Sequence, residues 1–214
     1  MPRTKVQVAL DTTCMSEALT LARYAKEGGA DLIEAGTPLI KAHGMEAVRR
    51  LAEVWGEKPV VADMKTLDAG RVESELACKA GAKVVVVSGW ANDVTVKEAV
   101  RAAESYGACV MVDLINVKEA LERALEVESM GARYVCLHTG LDAQAGRRSV
   151  ADSLDLIRSL SSKLKIPLAA AGGITAGNVR KVSEAGASLV VVGSFITKAP
   201  DPEAALGLLL GALG

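Results

Sequence analysis

Eight short, mostly apolar runs recur along the chain. Some of them are continuously apolar, as at Val84–Val87, which is typical of strands that are buried on both faces. Five of the runs follow a Gly-Ala dipeptide, and these dipeptides lie about 25 residues apart or about twice that distance. The pattern predicts eight strands, at Val6–Leu10, Asp31–Glu34, Pro59–Ala62, Lys83–Val87, Cys109–Val112, Tyr134–Leu137, Pro167–Ala170 and Leu189–Val192.

Between these runs the spacing of hydrophobic residues changes to that of helices. Val96, Ala99 and Val100 lie at positions i, i+3 and i+4, and this stretch stops before Gly107, where a glycine suits the positive φ that often closes a helix. One strand and one helix fill a unit of about 25 residues. The alternation predicts a single α/β domain over residues 1–214, folded as a (β/α)8 TIM barrel. A doubly wound open sheet is the alternative.

The composition argues against two classes of partner. Lys and Arg number 25 against 26 Asp and Glu, for a net charge of −1, and aromatic residues make up 3% of the chain. Because nucleic-acid binding calls for a basic surface and aromatic side chains that stack on bases, we expect no nucleic-acid partner. No apolar stretch approaches about 18 residues, so we also expect no membrane span. The four dispersed cysteines indicate buried thiols in a reducing, cytoplasmic compartment.

Charged side chains lie at the ends of the predicted strands, which form the active-site rim of a barrel of this type. Asp11, Glu34 and Asp63 end the first three strands. Lys65 follows Asp63 by two residues, so the alternation along a strand places both side chains on one side. Carboxylates with open neighbouring positions suit Mg²⁺, and Glu34 and Asp63 are therefore the predicted metal ligands.

Two more groups complete the predicted rim. His138 ends the sixth strand, and its unperturbed pKa near 6.5 suits a general acid or base. Glycine turns follow the last two strands, where backbone N–H groups can approach an anion and where barrels commonly bind phosphate. We therefore expect a phosphorylated small-molecule substrate, held by Gly172, Gly173, Gly193 and Ser194. Ser88 and Asp113 also end strands, but no neighbouring pattern assigns them a role.

Five segments together resemble the orotidine-monophosphate decarboxylase superfamily, in the right order and over nearly the whole chain. They are Ala9–Asp11 (ALD), Ile33–Ile40 (IEAGTPLI), Ala62–Asp68 (ADMKTLD), His138–Gln144 (HTGLDAQ) and Ala171–Ile174 (AGGI). Within this superfamily the motifs look most like those of the 3-hexulose-6-phosphate synthase family. That resemblance implies a lyase that uses Mg²⁺ to join formaldehyde to D-ribulose 5-phosphate, giving D-arabino-3-hexulose 6-phosphate, and that also catalyses the reverse cleavage.

The resemblance also implies roles for the rim residues. His138 removes a proton from C1 of the ketose, and Lys65 together with the metal stabilises the resulting enediolate. Asp11 orients Lys65 or a substrate hydroxyl. Asp68 is a catalytic residue that reaches the site of a neighbouring subunit, which implies an obligate homodimer with shared active sites.

Three alternatives remain open at this point. The sibling family of 3-keto-L-gulonate-6-phosphate decarboxylases shares the metal and D-x-K-x-x-D elements, but it typically carries arginines where this chain has Thr139–Leu141 and Ser194–Ile196. That departure favours the synthase. A metal-free phosphosugar isomerase is a second alternative. The third is a barrel that binds a phosphorylated ligand without turnover.

Overall fold

The structure is a computed structural model that describes residues 3–146 and 148–214. Its strands are β1 (Lys5–Leu10), β2 (Leu32–Ala35), β3 (Val60–Thr66), β4 (Val84–Ser88), β5 (Cys109–Asp113), β6 (Tyr134–His138), β7 (Leu168–Ala171) and β8 (Leu189–Val192). Neighbouring strands pair in parallel and in chain order, and β8 pairs with β1. The sheet is thus a closed eight-stranded barrel.

Helices surround the barrel and connect its strands. They are α1 (Met15–Glu27), α2 (Thr37–His43), α3 (Met45–Trp55), α4 (Gly70–Lys79), α5 (Asp93–Ser105), α6 (Ala120–Ser129), α7 (Leu141–Ala145), α8 (Leu154–Lys163), α9 (Val179–Glu184), α10 (Ser194–Thr197) and α11 (Pro202–Leu213). A 3₁₀ turn at Val150–Ser153 precedes α8. The short helices α2, α7 and α10 directly follow β2, β6 and β8, so they lie at the rim formed by the carboxyl ends of the strands.

Strand residues alternate between two apolar regions. Val6, Val8 and Leu10 pack outward with the helices in one large cluster. A second cluster fills the inside of the barrel, with Met111 and Val191 among its members. Because both faces of each strand are buried, the strands read as continuous apolar runs in the sequence.

The predicted (β/α)8 barrel is confirmed. Seven of the predicted strands agree with the structure to within one residue at each end, but β3 continues four residues further, to Thr66. The pairing of β3 with β4 shifts register between Ala62 and Thr66, and Lys65 has a φ of 46°. Simple alternation therefore does not describe this segment, because a bulge carries Lys65 into the site.

The glycine that follows α5 is confirmed as a helix terminator. Gly107 has a φ of 63°, and its N–H donates to the carbonyl oxygen of Glu104 at 3.0 Å. This left-handed conformation costs glycine little because it has no Cβ. Among the described residues, no helix combines the length and the apolar character needed to cross a membrane.

Candidate active site

A cavity of about 470 Å³ lies at the carboxyl ends of the strands. Most of the residues predicted for the site line this one cavity: Asp11, Glu34, Asp63, Lys65, His138, Gly172, Gly173, Gly193 and Ser194. The barrel brings them together because the carboxyl ends of all its parallel strands meet at one rim.

Lys65, Asp113 and His138 form a hydrogen-bonded chain in the cavity wall. Lys65 Nζ donates to Asp113 Oδ2 at 2.7 Å, and the same oxygen lies 2.8 Å from His138 Nδ1. The other oxygen of Asp113 accepts from the backbone N–H of Ile115 at 2.9 Å, which fixes the plane of the carboxylate. Lys65 Nζ also lies 3.2 Å from Asp63 Oδ1. One ammonium thus links two carboxylates, and one carboxylate links the ammonium to the imidazole.

Burial and mutual attraction set the charges of this chain. Burial by itself raises the pKa of Asp113, but the hydrogen bond to His138 and the charges of His138 and Lys65 outweigh it and bring the pKa to about 2. Burial by itself lowers the pKa of Lys65, but the charges of Asp63 and Asp113 outweigh burial and raise this pKa above its ordinary value. An ionised Asp113 can only accept hydrogen bonds. His138 Nδ1 therefore carries the proton that points to Asp113, and in the neutral form of the imidazole Nε2 is the basic nitrogen.

Three carboxylates, those of Asp11, Glu34 and Asp63, face the cavity beside Lys65. Burial raises the pKa of Glu34 well above its ordinary value, and the charges of Asp63 and Asp11 raise it further. Burial, followed by the charge of Asp63, also raises the pKa of Asp11. Negative charge is therefore in excess on this side of the cavity, and a bound cation would relieve it.

The donor set fits a hard divalent cation. Within residues 3–146 and 148–214, no group of three or more His, Cys, Asp or Glu side chains is placed to hold a metal ion by itself. Mg²⁺ commonly takes one or two carboxylates and completes its shell with water and substrate oxygens, so Glu34 and Asp63 could hold it. Thr37 Oγ1 donates to Asp63 Oδ2 at 2.7 Å, and Gln7 Nε2 donates to Glu34 Oε2, so each carboxylate is oriented by a neutral donor.

The glycine turn after β7 brings backbone to the cavity edge. Gly172 and Gly173 have φ values of 103° and 66°, and a Cβ on Gly172 would overlap the carbonyl oxygen of Thr139. The N–H of Val150 donates to Gly172 O at 3.0 Å, and Asn178 Nδ2 donates to Gly173 O at 2.9 Å. These contacts hold the turn in a shape that only glycine adopts without strain.

Asp68 lies apart from the other predicted site residues. It lines a second, more open groove together with Trp90 and Val94, and it does not line the central cavity. A single chain therefore does not bring Asp68 to the cavity of its own barrel. Its predicted role in the site of a neighbouring subunit stays a prediction.

Gln7, Asp113 and Lys198 are among the residues of the cavity wall to which the sequence assigns no role. Asp113 ends β5, so its position at the rim is visible in the sequence, but its contacts with Lys65 and His138 are not. Gln7 is a polar residue between the apolar residues Val6 and Val8 of β1, which is a usable signal. Lys198 follows α10 and makes no ion pair within the described part of the chain.

Known proteins with similar sequences match this chain along nearly its whole length. The profile of the orotidine 5'-phosphate decarboxylase / HUMPS family matches residues 4–208. A 3-hexulose-6-phosphate synthase of Mycobacterium gastri is 40% identical over 209 residues, covering 98% of this chain and 99% of the relative. One of Bacillus subtilis is 36% identical over 197 residues and covers 92% of each chain.

Solved structures agree with the sequence relatives. A crystal structure of 3-hexulose-6-phosphate synthase has a TM-score of 0.92 at 40% identity and covers 98% of this chain and 100% of that chain. The 3-keto-L-gulonate-6-phosphate decarboxylase of Vibrio cholerae has a TM-score of 0.87 at 28% identity, covering 99% and 97%. These findings confirm the resemblance seen in the motifs. The chain belongs to the orotidine 5'-phosphate decarboxylase / HUMPS family of enzymes.

Proposed function

We propose that this protein is a lyase that catalyses the Mg²⁺-dependent aldol addition of formaldehyde to D-ribulose 5-phosphate, and the reverse cleavage of D-arabino-3-hexulose 6-phosphate. One observation carries the proposal: the chain of Lys65, Asp113 and His138 shares a cavity with the carboxylates of Glu34 and Asp63. Removal of a proton beside a ketone needs a base and stabilisation of the anion that forms. The named relatives at 36–40% identity support the same reaction.

His138 is the base in this mechanism. Asp113 holds the proton on Nδ1, so Nε2 accepts a proton from C1 of the ketose. The electron pair of the broken C–H bond forms the C1–C2 double bond, and the carbonyl electrons move to the C2 oxygen. The ammonium of Lys65 stabilises this enediolate because it is already in place and fixed by two carboxylates.

The carbon–carbon bond forms in the second step. C1 of the enediolate attacks the carbon of formaldehyde, and the C2 carbonyl is restored. The aldehyde oxygen takes the proton that His138 holds, so the imidazole returns to its neutral form and the product carries a new hydroxyl. Cleavage of the hexulose phosphate uses the same groups in the opposite order.

Glu34 and Asp63 are the proposed ligands of Mg²⁺, which supplies Lewis-acid polarisation of the ketose oxygens when it is bound. Asp11 has a carboxylate oxygen beside the Gly193 turn, where it can orient Lys65 or a substrate hydroxyl. Its position between the metal ligands and the phosphate loops suits contact with the middle of the sugar chain.

The phosphate is proposed to bind at the opposite side of the cavity. The turns at Gly172–Gly173 and Gly193–Ser194 present backbone there, and Lys198 lines the same cavity. Glycine turns allow backbone N–H groups to approach a phosphate closely, and an ammonium adds charge. Lys65 is already held by two carboxylates, which leaves Lys198 as the cation available for the phosphate among the described residues that line the cavity.

We also propose a homodimer with shared active sites. Several exposed apolar side chains lie on the β3–α4 connection, α4, the β4–α5 connection and the start of α5: Leu67, Val72, Leu76, Trp90 and Val94. Exposed apolar side chains on adjoining elements are typical of protein–protein interfaces. Asp68 lies in the groove beside Trp90 and Val94, so an interface here would bring Asp68 to a second copy of the chain.

Formaldehyde consumption tests the function. We expect consumption that requires both D-ribulose 5-phosphate and Mg²⁺, is lost with EDTA and returns on adding Mg²⁺. Asp63→Asn should abolish it because the substitution removes a charged ligand. Asp155→Asn is the matched control, since that side chain is fully exposed and pairs with Arg158 on its own helix.

The sibling decarboxylase is the competing activity. Leu141 and Ser194 line the cavity and belong to the two segments, Thr139–Leu141 and Ser194–Ile196, in which that family typically carries arginines. Neither segment has a cationic side chain that could pair with the carboxylate of a β-keto acid. A kcat/KM for CO₂ release from 3-keto-L-gulonate 6-phosphate above that for formaldehyde consumption would overturn the proposal. Formaldehyde consumption that resists EDTA would overturn the metal assignment.

A further inference from the structure

Gln7 occupies a position inside the barrel that its neighbours fill with apolar side chains. It lies on β1, paired in register with Leu32 of β2 and Val191 of β8, and its side chain is 1% exposed. It lines the same cavity as the catalytic groups, in the interior layer that holds Met111 and Val191. The amide is therefore a polar group at the floor of the site.

The two polar atoms of this amide have different surroundings. Nε2 donates to Glu34 Oε2, a carboxylate oxygen that is itself buried. Oε1 is buried and has no hydrogen-bond partner among residues 3–146 and 148–214. The N–H side of the amide thus faces Glu34, and the amide carbonyl is left without a partner.

This arrangement is unfavourable if Gln7 serves only for packing. A buried carbonyl without a partner destabilises the folded protein, whereas an apolar side chain of similar length would fill the space without that cost. The hydrogen bond to Glu34 is thus the feature that distinguishes glutamine from methionine or leucine at this place. This hydrogen bond orients the Glu34 carboxylate.

We propose that Gln7 is a positioning residue for cation binding: it fixes the Glu34 carboxylate through Oε2 and leaves the other oxygen available to a cation. The inference rests on the proposed function, because Glu34 acts there as a metal ligand. Partners that orient a ligating side chain typically change metal affinity by about 10–100-fold. Thr37 makes the equivalent contact to Asp63, so both proposed ligands are held in the same manner.

The test is the affinity for Mn²⁺ alone, measured without substrate from the electron paramagnetic resonance signal of the free ion. Gln7→Met keeps the volume and removes the donor, and we expect Mn²⁺ to bind about 10–100-fold more weakly. Gln7→Asn keeps an amide that is one methylene too short to reach Glu34, and it should show the same loss. Met111→Leu is the control for repacking of the same layer and should stay within twofold of the parent protein.

Two further readouts separate positioning from general damage. In the Gln7 variants the Mg²⁺ concentration for half-maximal activity should rise by the same factor, while kcat at saturating Mg²⁺ stays within threefold. Affinity for inorganic phosphate should not change. Unchanged Mn²⁺ affinity in Gln7→Asn, or an equal loss of phosphate affinity, overturns the inference and leaves the proposed function standing. If the parent protein binds no Mn²⁺ at millimolar concentration, the metal part of the proposed function fails and this inference fails with it.

Discussion

Replacing Asp113 with asparagine tests the central contact of the proposed mechanism. The side chains have nearly the same shape, and Oδ1 of the amide can still accept from the N–H of Ile115 at 2.9 Å. The amide nitrogen then occupies the place of Oδ2, where the native carboxylate meets both Lys65 and His138. A donor thus replaces an acceptor between two groups that both need an acceptor.

The stability change follows from the pKa of Asp113. It falls from an ordinary value of 3.8 to about 2 in the folded protein, and a difference of this size corresponds to about 2 kcal/mol. Breaking a fully buried ion pair costs about 3–5 kcal/mol, but Lys65 keeps Asp63 as a partner. We therefore expect Asp113→Asn to lose about 2 kcal/mol of unfolding free energy at pH 7, measured by urea denaturation.

The same loss has a defined pH dependence. Because the pKa of Asp113 is lower in the folded protein, its contribution is complete above the unfolded value and is lost as the pH falls through about 2. The stability difference between parent and variant should therefore shrink on acidification, by about half between pH 7 and pH 3. A difference that stays constant over this range would contradict the charge argument.

The activity change follows from the tautomer of His138. An amide N–H facing Nδ1 makes that nitrogen an acceptor and places the proton on Nε2, so the imidazole cannot take a proton from C1. We expect kcat for formaldehyde consumption to fall by about 10²–10⁴-fold, the usual range for a lost general base. Asp155→Asn again serves as control. A folded Asp113→Asn variant with kcat within threefold of the parent would refute the assignment of His138 as the base.

Three more outcomes are expected. Gly172→Ala should lower stability by more than 1 kcal/mol in denaturant titrations, because its φ is 103° and the new Cβ would overlap Thr139; an unchanged midpoint would contradict the tight turn. Lys198→Ala should raise the KM for D-ribulose 5-phosphate about tenfold with little change in kcat, and an unaltered KM would remove it from the phosphate site. Mixing inactive Asp68→Ala and His138→Ala chains should restore part of the activity through mixed dimers, and no recovery in a verified mixed dimer would contradict shared sites.

Most of the fold could be predicted because its strands are buried on both faces. A run such as Val84–Val87 has no amphipathic alternation to obscure its limits, and glycines such as Gly107 mark where helices end. The strand-end rule also places Glu34 and His138 at one rim, since it depends only on parallel topology. These properties depend on local sequence or on topology alone, so they can be predicted from the sequence.

The remaining features depend on contacts between distant strands. The sequence shows that Asp113 ends β5 and that His138 ends β6. The role of Asp113 becomes visible only in the folded chain, where Lys65 Nζ of β3 donates to Asp113 Oδ2 at 2.7 Å. The bulge in β3 could not be predicted from the sequence either, because the residues around Lys65 also fit a regular strand. The role proposed for Gln7 depends on its hydrogen bond to Glu34, which lies 27 positions further along the chain.

The left-handed backbone at Lys65 has a consequence for engineering. Lys65 and Ala69, with φ values of 46° and 53°, are two of the three non-glycine residues with positive φ among those described. Such conformations cost about 1–3 kcal/mol each, and the surrounding structure must supply that energy. Relief of the strain at Lys65 would need a glycine, which removes the ammonium from the site. Variants selected for heat resistance should therefore carry their substitutions in the outer helices and keep Lys65. The backbone conformation that destabilises the fold at this residue is also the one that places the ammonium in the site.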